Sequence, residues 1–349
     1  MILTIGIPVL NGSDHISNTL QSILRESDLI DEEIELLVVD NKSEDGTQQI
    51  LSDFYRDYSV SSNLDIKIKL NETNQGLDHS INHLIEESSG DYIWMLGAQE
   101  VLHFGALRIV IDLLREKPWQ VVLNSTMWDE ASNREIQDNL YGRKKDLIFH
   151  GLNDFFSEIG GPCLSLSANI SRAEPLRKRR DIETKTRYWG WYERWIDVAI
   201  ANERDGDFVF VAKPLIQILV EAKGWQATGK DTSGSQTVVN AQTVYFTFVE
   251  LTEIAKRKFD LNPTIRDSMG AYRDHFGVPR AIALAKATGL SVKPDVVFRS
   301  AQVFGFTPWF WFVGIPVLFT PKFLLNLKVI SLMRKFIHFL RFVLRAPAK

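Results

Sequence analysis

Short apolar runs alternate with amphipathic segments along residues 1–125 of the chain. The apolar runs predict β-strands at 2–8, 34–40, 64–70, 91–96 and 120–123, and the spacing between them predicts helices at 13–26, 44–58, 77–88 and 104–115. Strands alternating with helices predict an α/β fold, a Rossmann-like and mostly parallel sheet with helices on its faces. Such sheets bind ligands at the carboxyl ends of their strands, which fall here at Pro8, Asp40, Asn71 and Gly97.

The next part of the chain has a less regular hydropathy pattern. The remaining predicted elements are loops at 127–149 and 222–237, strands at 163–170 and 208–220, and helices at 188–202, 238–258 and 280–288. The sequence contains no internal repeat.

The last fifty residues differ in hydropathy from everything before them. Residues 300–321 carry no charged side chain and include W-F-W-F at 309–312, and their 22 positions are enough to span a bilayer. Pro308 and Pro316 disfavour one straight helix there. Residues 322–345 place basic side chains on one helical face and Phe and Leu on the other, which is typical of a helix lying in a membrane interface. A helix packed on the acidic body of the protein is the alternative.

Composition excludes several classes of protein. A chain of 349 residues with 45% hydrophobic and 24% charged residues folds into about two domains rather than staying disordered. The single cysteine, Cys163, excludes an internal disulfide and a cysteine-based zinc site. The first residues lack the basic region of a signal peptide, so we expect a cytosolic body.

The charge of the chain is unevenly distributed. The formal net charge of −4 argues against a nucleic-acid partner. Residues 296–349 contain eight Lys and Arg and no Asp or Glu, which leaves 32 basic against 44 acidic residues in 1–295, a charge of −12. An acidic body with a basic tail predicts contact with an anionic membrane surface.

The clearest candidate for a binding site is V-V-D-N-K-S-E-D-G-T at residues 38–47, where the second predicted strand ends. Asp40 is placed there to accept hydrogen bonds from the N–H and hydroxyl groups of a nucleotide. The alternative is a structural loop in which Ser43 caps the following helix and Asp45 lies in its first turn. This motif by itself leaves both interpretations open.

Together with three other segments, this motif resembles the family 2 glycosyltransferases of the GT-A fold. The others are I-G-I-P-V-L-N at 5–11, N-Q-G at 74–76 followed by Asn82, and G-D-Y-I at 90–93. The resemblance implies a nucleotide-diphosphate-sugar donor and transfer to an acceptor with inversion. By position, it implies that the donor is held by Pro8, Asn11, Asp40, Asn41, Asn74, Gly76 and Gly97.

The chain departs from the family pattern at residues 96–100. Family members carry aspartates here that hold Mg²⁺ or Mn²⁺ against the donor diphosphate, whereas this chain has L-G-A-Q-E. Glu100 is the anionic side chain left in the motif, Gln99 offers a neutral carbonyl, and His103 follows. Three interpretations stay open: a weak metal site formed by Glu100, Gln99 and the diphosphate, a metal-independent transferase that uses basic residues, or a catalytically inactive relative.

The segment Y-W-G-W-Y-E-R-W-I-D, residues 188–197, carries the candidate catalytic groups. Its aromatic side chains predict a surface that stacks against sugar rings. Transfer needs a general base for the acceptor hydroxyl, and Asp197 is the first candidate and Glu193 the second. These two lie four apart, on one face of a helix. The alternative is a solvated carboxylate pair beside buried tryptophans.

A basic cluster precedes this segment. It comprises Arg172, Arg177, Lys178, Arg179 and Arg180. Two interpretations stay open: these side chains contact a diphosphate, or they belong to a solvated or membrane-facing loop. A later loop with Gly224, Trp225 and Lys230 is a weaker candidate for closing over the donor.

These observations predict a glycosyltransferase that moves a sugar from a nucleotide-diphosphate donor to a saccharide acceptor, with inversion. A membrane-binding tail favours a polyprenyl-linked acceptor, a role in surface-polysaccharide assembly, and peripheral or monotopic attachment at the cytoplasmic face of the membrane. The predicted domains are a nucleotide-sugar-binding half at 1–125, an acceptor-side half at 126–235, a helical extension at 236–298 and a membrane-binding segment at 299–349. The alternative, motivated by Gln99, is a catalytically weak or inactive membrane-bound protein that binds sugar nucleotides or assists assembly.

Overall fold

A computed structural model of the chain provides the three-dimensional description. It describes residues 1–58, 63–129, 133–139, 143–159, 166–179, 194–195, 198–199, 201, 206–220, 227–230, 236–239 and 319. The chain divides into two units, one of Met1–Gly224 with Thr228–Thr237 and one of Trp225–Ala227 with Val238–Lys349. Nearly all described residues belong to the first unit.

Within the described residues, ten strands form one sheet in the order β3-β2-β1-β4-β9-β6-β10-β5, with β7 paired to β6 and β8 to β10. These strands are β1 (Leu3–Val9), β2 (Ile34–Asp40), β3 (Leu64–Leu70), β4 (Tyr92–Met95), β5 (Val101–Leu102), β6 (Gln120–Asp129), β7 (Arg134–Gln137), β8 (Leu147–Phe149), β9 (Asn169–Arg172) and β10 (Phe208–Val220). A separate two-stranded sheet pairs β11 (Ala227–Lys230) with β12 (Gln236–Val239).

The first four strands of the sheet are parallel, as predicted. β9 runs antiparallel to both β4 and β6, so β6 points the same way as β4, and β10 is parallel to β6. The sheet as a whole is therefore mixed. The register of β10 against β6 shifts around Pro214, which has no N–H to donate to the ladder.

Helices connect these strands. They are α1 (Ile16–Ser27), α2 (Thr47–Tyr58), α3 (Leu77–Glu87), α4 (Ala106–Arg115), α5 (Leu152–Glu158) and α6 (Ala173–Lys178). α1 buries Ile16, Leu20 and Ile23, the three- and four-residue spacing seen in the sequence. β1 and β2 are buried at every position, as expected for central strands of a sheet that helices cover on both faces.

A buried glutamate ties the amino ends of these strands together. The Glu35 carboxylate of β2 accepts hydrogen bonds from the Thr4 hydroxyl, the Lys67 ammonium and both the N–H and hydroxyl of Ser89. Burial opposes the charge of Glu35, but these hydrogen bonds outweigh burial and lower its pKa. The ion pair of the buried Glu35 with Lys67 therefore stabilises the end of the sheet opposite the predicted binding site.

Several predicted elements differ from the structure. α1 begins at Ile16 with His15 at its N-cap, three residues after the start of the helix predicted at 13–26. The predicted loop at 127–149 contains the end of β6, β7 and β8, and the loop at 222–237 contains β11 and β12. These are mostly short strands whose sequences lack a continuous apolar run, so hydropathy alone does not mark them. β9 begins at Asn169, later than the strand predicted at 163–170.

Other predictions lie outside the described residues. These include the helix at 280–288, the membrane segment at 299–349, where Phe319 is the residue described, and residues 240–258 of the helix predicted at 238–258. The first two positions of that predicted helix belong to strand β12 instead. Among the residues that the structure does describe, no helix combines the length and apolarity needed to cross a membrane.

Candidate functional site

The carboxyl ends of the parallel strands meet at one edge, as the sequence predicts. Val9 of β1 lies opposite Asp40 of β2 in the register of the two strands. The N–H of Asn41 donates to the Val9 carbonyl, and the N–H of Asn71 donates to the Asp40 carbonyl, both at 2.8 Å. Because pairing continues past the strands, the residues that follow them are held firmly beside one another.

Asp40 is the central polar group of this edge. Its side chain is fully buried, and its Oδ1 accepts hydrogen bonds from the Ser43 N–H (3.0 Å) and the Gln48 side-chain amide (2.8 Å). Its Oδ2 is buried and has no hydrogen-bond partner among the described residues. A buried carboxylate oxygen without a donor is costly, so a ligand whose N–H or O–H reached this atom would gain a favourable hydrogen bond.

Three asparagines organise the loop after β3. The Asn41 amide donates to Asn74 Oδ1 (2.8 Å), while Asn41 Oδ1 accepts from the Asn71 amide (3.2 Å) and the Gln75 N–H (2.9 Å). Asn74 Oδ1 also accepts from the Gly76 N–H at 3.0 Å. Gly76 has φ +89°, a backbone conformation that favours glycine, and it leads directly into α3. The predicted donor residues Asn41, Asn74 and Gly76 are thus one rigid unit.

Asn11 and Pro8 belong to the end of β1. Pro8 is buried within the strand. Asn11 has φ +53°, its N–H donates to the Ser43 hydroxyl (2.8 Å), and its Oδ1 accepts from the Glu44 N–H (2.9 Å). The Asn11 side-chain oxygen is therefore used to hold the neighbouring loop.

Asp45 joins the same two loops and begins α2. Its carboxylate accepts from the Thr47 N–H and hydroxyl and from the Ser13 N–H, and the Thr47 hydroxyl in turn accepts from the Gly12 N–H. Burial opposes ionisation of Asp45, but these hydrogen bonds outweigh it and lower its pKa to about 2. Asp45 thus precedes α2 and accepts from its first residue, instead of lying in the first turn as the structural interpretation expected. Ser43, expected to cap this helix, accepts a hydrogen bond from the Asn11 N–H.

The turn of residues 97–100 follows β4. Gly97 N–H donates to Glu100 Oε2 and to the Ser167 hydroxyl, both at 3.1 Å, and the Glu100 N–H donates to the Gly97 carbonyl at 3.1 Å. Burial raises the pKa of Glu100, partly offset by hydrogen bonds from Ser167 and Gly97. The candidate metal ligand Glu100 is therefore folded back on its own turn.

These residues fit a divalent cation poorly. Mg²⁺ and Mn²⁺ sites need ionised carboxylates with free lone pairs, whereas the Glu100 carboxylate accepts internal hydrogen bonds and Gln99 is neutral. His103 Nε2 lies 3.0 Å from the Thr126 hydroxyl, and burial is the main cause that lowers its pKa. Within the described part of the chain, no three His, Cys, Asp or Glu residues are grouped so as to hold a metal ion.

The described members of the basic cluster lie at the opposite edge of the sheet. Arg172 pairs in register with Tyr92, the first residue of β4, and its guanidinium donates to the Pro118 carbonyl. Arg177 donates to the carbonyls of Ser88 and Gly90, just before β4. The antiparallel direction of β9 carries these arginines away from Asp40, so the structure does not favour contact of Arg172 and Arg177 with a diphosphate, one of the two interpretations left open.

The two candidate bases, Asp197 and Glu193, lie outside the described residues, as does the loop of Gly224 and Trp225. Their described neighbours are helical and buried. Arg194 donates to Asn82 Oδ1 of α3 (3.0 Å) and to the Leu176 carbonyl, and Trp195 Nε1 donates to the Ser171 hydroxyl (3.1 Å). Arg194 and Trp195 are therefore anchored to α3, α6 and β9.

Two residues of this edge were not predicted from the sequence. Gln48 orients Asp40, and Ser167 holds the turn at Gly97. Gln48 directly follows the motif at 38–47 and lies at the start of α2. That position, at the first helix start after Asp40, is the sequence feature that could have indicated its contact with Asp40. Ser167 is distant in sequence from everything it contacts, and no sequence pattern marks it.

A family model described as "Glycosyl transferase family 2" matches residues 4–179. The abequosyltransferase RfbV of Salmonella typhimurium is 27% identical over 110 residues, which are 32% of this chain and 32% of that protein. The chain thus aligns with about a third of the length of that relative.

Solved structures share the fold of the chain at low sequence identity. TarS 1–349 of S. aureus in complex with UDP-GlcNAc has a TM-score of 0.57 and 16% identity, covering 91% of this chain and 83% of that one. The mannosyltransferase PcManGT of Pyrobaculum calidifontis in complex with GDP-Man and Mn²⁺ has a TM-score of 0.54 and 14% identity, covering 90% and 84%. These likenesses confirm the predicted GT-A type of α/β fold.

Proposed function

The chain belongs to glycosyl transferase family 2, and from this premise we propose that it transfers a sugar from a nucleoside-diphosphate-sugar donor to a saccharide acceptor. The observation that carries the proposal is Asp40, a buried carboxylate with one free oxygen at the edge where α/β sheets bind ligands. An N–H of a nucleobase would satisfy that oxygen.

The asparagine loop supports the same ligand. Asn41 and Asn74 are held by hydrogen bonds before any ligand arrives, so little conformational entropy is lost when a nucleotide binds. Gly76 has no side chain and opens α3, where backbone N–H groups and the helix dipole favour an anionic group. This combination suits a nucleoside diphosphate better than a neutral metabolite.

Sugar transfer itself is proposed to proceed by direct displacement at the anomeric carbon, with inversion. The acceptor oxygen forms the new bond, the nucleoside diphosphate leaves with the electrons of the old one, and a base takes the hydroxyl proton. Asp197 is proposed as this base and Glu193 as the second candidate, from their position in the sequence. Asp197→Asn should abolish turnover and leave donor binding unchanged, whereas undiminished turnover would transfer the role to Glu193.

The acceptor is proposed to be a polyprenyl-linked saccharide used in surface-polysaccharide assembly. The support is the tail, in which eight basic residues and no acidic ones follow residue 295. On the same ground we propose peripheral or monotopic attachment at the cytoplasmic face of the membrane. A chain lacking residues 300–349 should lose binding to vesicles of anionic phospholipid, and equal binding by both chains would refute the membrane role.

The second candidate is a membrane-bound protein that binds sugar nucleotides without transferring sugar. It is favoured by the neutral Gln99 and the inward-folded Glu100 at the position of the family's metal-binding aspartates. Binding without turnover of any donor would support this alternative.

A panel of nucleotide-sugars tests both functions. UDP-, GDP-, CDP- and dTDP-sugars are offered with and without Mn²⁺, and binding and release of nucleoside diphosphate are measured separately. We expect one donor class to bind and to be turned over once a saccharide acceptor is present. Absence of binding across the panel would refute both candidates.

A further inference from the structure

The turn of residues 97–100 has a closed hydrogen-bond pattern. The Glu100 N–H donates to the Gly97 carbonyl, and the Gly97 N–H donates back to Glu100 Oε2, each at 3.1 Å. The first of these is an i to i+3 turn hydrogen bond, and the second is the bond by which a glutamate at the third position of a capping box satisfies the leading N–H. Both groups are thus engaged within the turn itself.

Ser167 extends this pattern to a distant part of the chain. Its hydroxyl accepts a hydrogen bond from the Gly97 N–H at 3.1 Å, and Ser167 is only 2% exposed. Its carbonyl accepts the indole N–H of Trp94 at 2.8 Å, one strand residue from the end of β4. The turn is therefore fastened to the segment that leads into β9.

The space around Gly97 is filled by the Glu100 carboxyl group. A Cβ built on Gly97 would lie 3.1 Å from Glu100 Cδ and 3.3 Å from each of its oxygens, closer than carbon atoms normally approach. The opposite side of the turn is held by α1, because the Thr19 hydroxyl donates to the Ala98 carbonyl at 3.0 Å. A side chain at position 97 would therefore displace the Glu100 carboxyl group by a few tenths of an ångström, while the hydrogen bonds to Ser167 and Thr19 hold the turn in place.

We propose that Glu100 is a positioning residue that shapes the 97–100 turn, and that this turn supplies no ligand to a divalent metal ion. A carboxylate bound to Mg²⁺ or Mn²⁺ must direct its lone pairs at the ion, whereas the Glu100 carboxylate faces Gly97 and Ser167. The neighbouring Gln99 adds no charge. This inference rests on the proposed function, since it concerns the same donor-binding edge.

Four variants of the full chain separate a positioning role from metal ligation. Glu100→Gln keeps an acceptor for Gly97 but removes the charge that a cation needs. Glu100→Ala and Ser167→Ala remove the contacts, and Glu116→Gln, an exposed residue at the end of α4, is the matched control. Affinity for UDP, GDP, CDP and dTDP is measured with and without Mn²⁺, Mn²⁺ binding is followed by electron paramagnetic resonance, and thermal unfolding reports folding.

We expect Glu100→Ala and Ser167→Ala to weaken nucleoside-diphosphate binding about three- to tenfold, as for the loss of one hydrogen bond that holds the turn, and to the same extent with and without Mn²⁺. Glu100→Gln should rescue most of that loss, and the ratio of affinities with and without Mn²⁺ should equal that of the wild type and of Glu116→Gln. The inference would be overturned if Glu100→Gln kept the metal-free affinity for the nucleotide but reduced the increase in affinity that Mn²⁺ causes by tenfold or more.

The experiment also separates this inference from the proposed function. If no nucleoside diphosphate binds the wild type, the proposed function fails. The inference is then decided by Mn²⁺ alone, because a Mn²⁺ site that Glu100→Gln abolishes refutes it and unchanged Mn²⁺ binding supports it. For a variant that unfolds at a lower temperature than the wild type, only the ratio of its nucleotide affinities with and without Mn²⁺ is compared.

Discussion

Replacing Asp40 by asparagine tests the proposed nucleotide site directly. Asparagine has the same shape, and its Oδ1 can keep the hydrogen bonds from Ser43 and Gln48. The change acts on Oδ2, the buried acceptor without a partner, which becomes an N–H₂ donor. A ligand N–H that pairs with Oδ2 would then meet another N–H.

The expected loss follows from the charge of this acceptor. A hydrogen bond to an ionised group contributes about 1.5–3 kcal/mol, so Asp40→Asn should weaken nucleotide binding about 10- to 150-fold. The protein without ligand should be as stable as the wild type or more stable, because the substitution removes an incompletely paired buried charge. Loss of binding with gain of stability is the combination that a ligand-directed carboxylate predicts.

Isothermal titration with the nucleoside diphosphate that the wild type prefers measures the affinity, and urea unfolding measures the stability. Asp28→Asn, an exposed aspartate at the end of α1, controls for the loss of one negative charge. Binding by Asp40→Asn as tight as that of the wild type would refute the reasoning. Unfolding of the variant at lower urea would show instead that Oδ2 contributes to the fold.

Three further predictions concern the loops around Asp40. Asn41→Ala should lower the free energy of unfolding by about 1–3 kcal/mol, since it removes the acceptor of the Asn71 amide and the Gln75 N–H and one of the donors to Asn74, and urea denaturation measures this. Asp45, whose pKa is lowered to about 2, stabilises the fold when ionised, so stability falls as pH drops from 4 toward 2. Asp45→Asn should lose less stability than the wild type over that interval, and equal losses would contradict the assignment. Gly97→Ala should destabilise the wild type by about 1–3 kcal/mol but have little effect in a Glu100→Ala background, which a double-mutant cycle of unfolding free energies checks.

The first half of the sheet could be predicted because its signals are local. The apolar run of β2 at Ile34–Asp40 and the alternation of β3 at Leu64–Leu70 have the predicted bounds. Parallel direction then places Asp40, Asn71 and Gly97 at one edge without further information. The location of the candidate site therefore follows from hydropathy and topology alone.

The details of the site depend on contacts between distant residues. Whether Glu100 points outward or folds onto Gly97 is decided partly by Ser167, which lies 70 positions from Gly97 in the sequence. The direction of β9, which carries Arg172 to the far edge, is likewise a property of the assembled sheet. Neither is encoded in the spacing of residues along one segment, so sequence patterns cannot supply them.

The central position of β9 also has a consequence for how the chain is made. β9 lies between β4 and β6, yet it is synthesised after both. As the chain leaves the ribosome, the edge of β4 stays unpaired until residues 169–172 emerge, roughly 4–15 s after Met95 at 5–20 residues per second. During that interval the strand presents open N–H and C=O groups, which can pair with a strand of another chain and lead to aggregation.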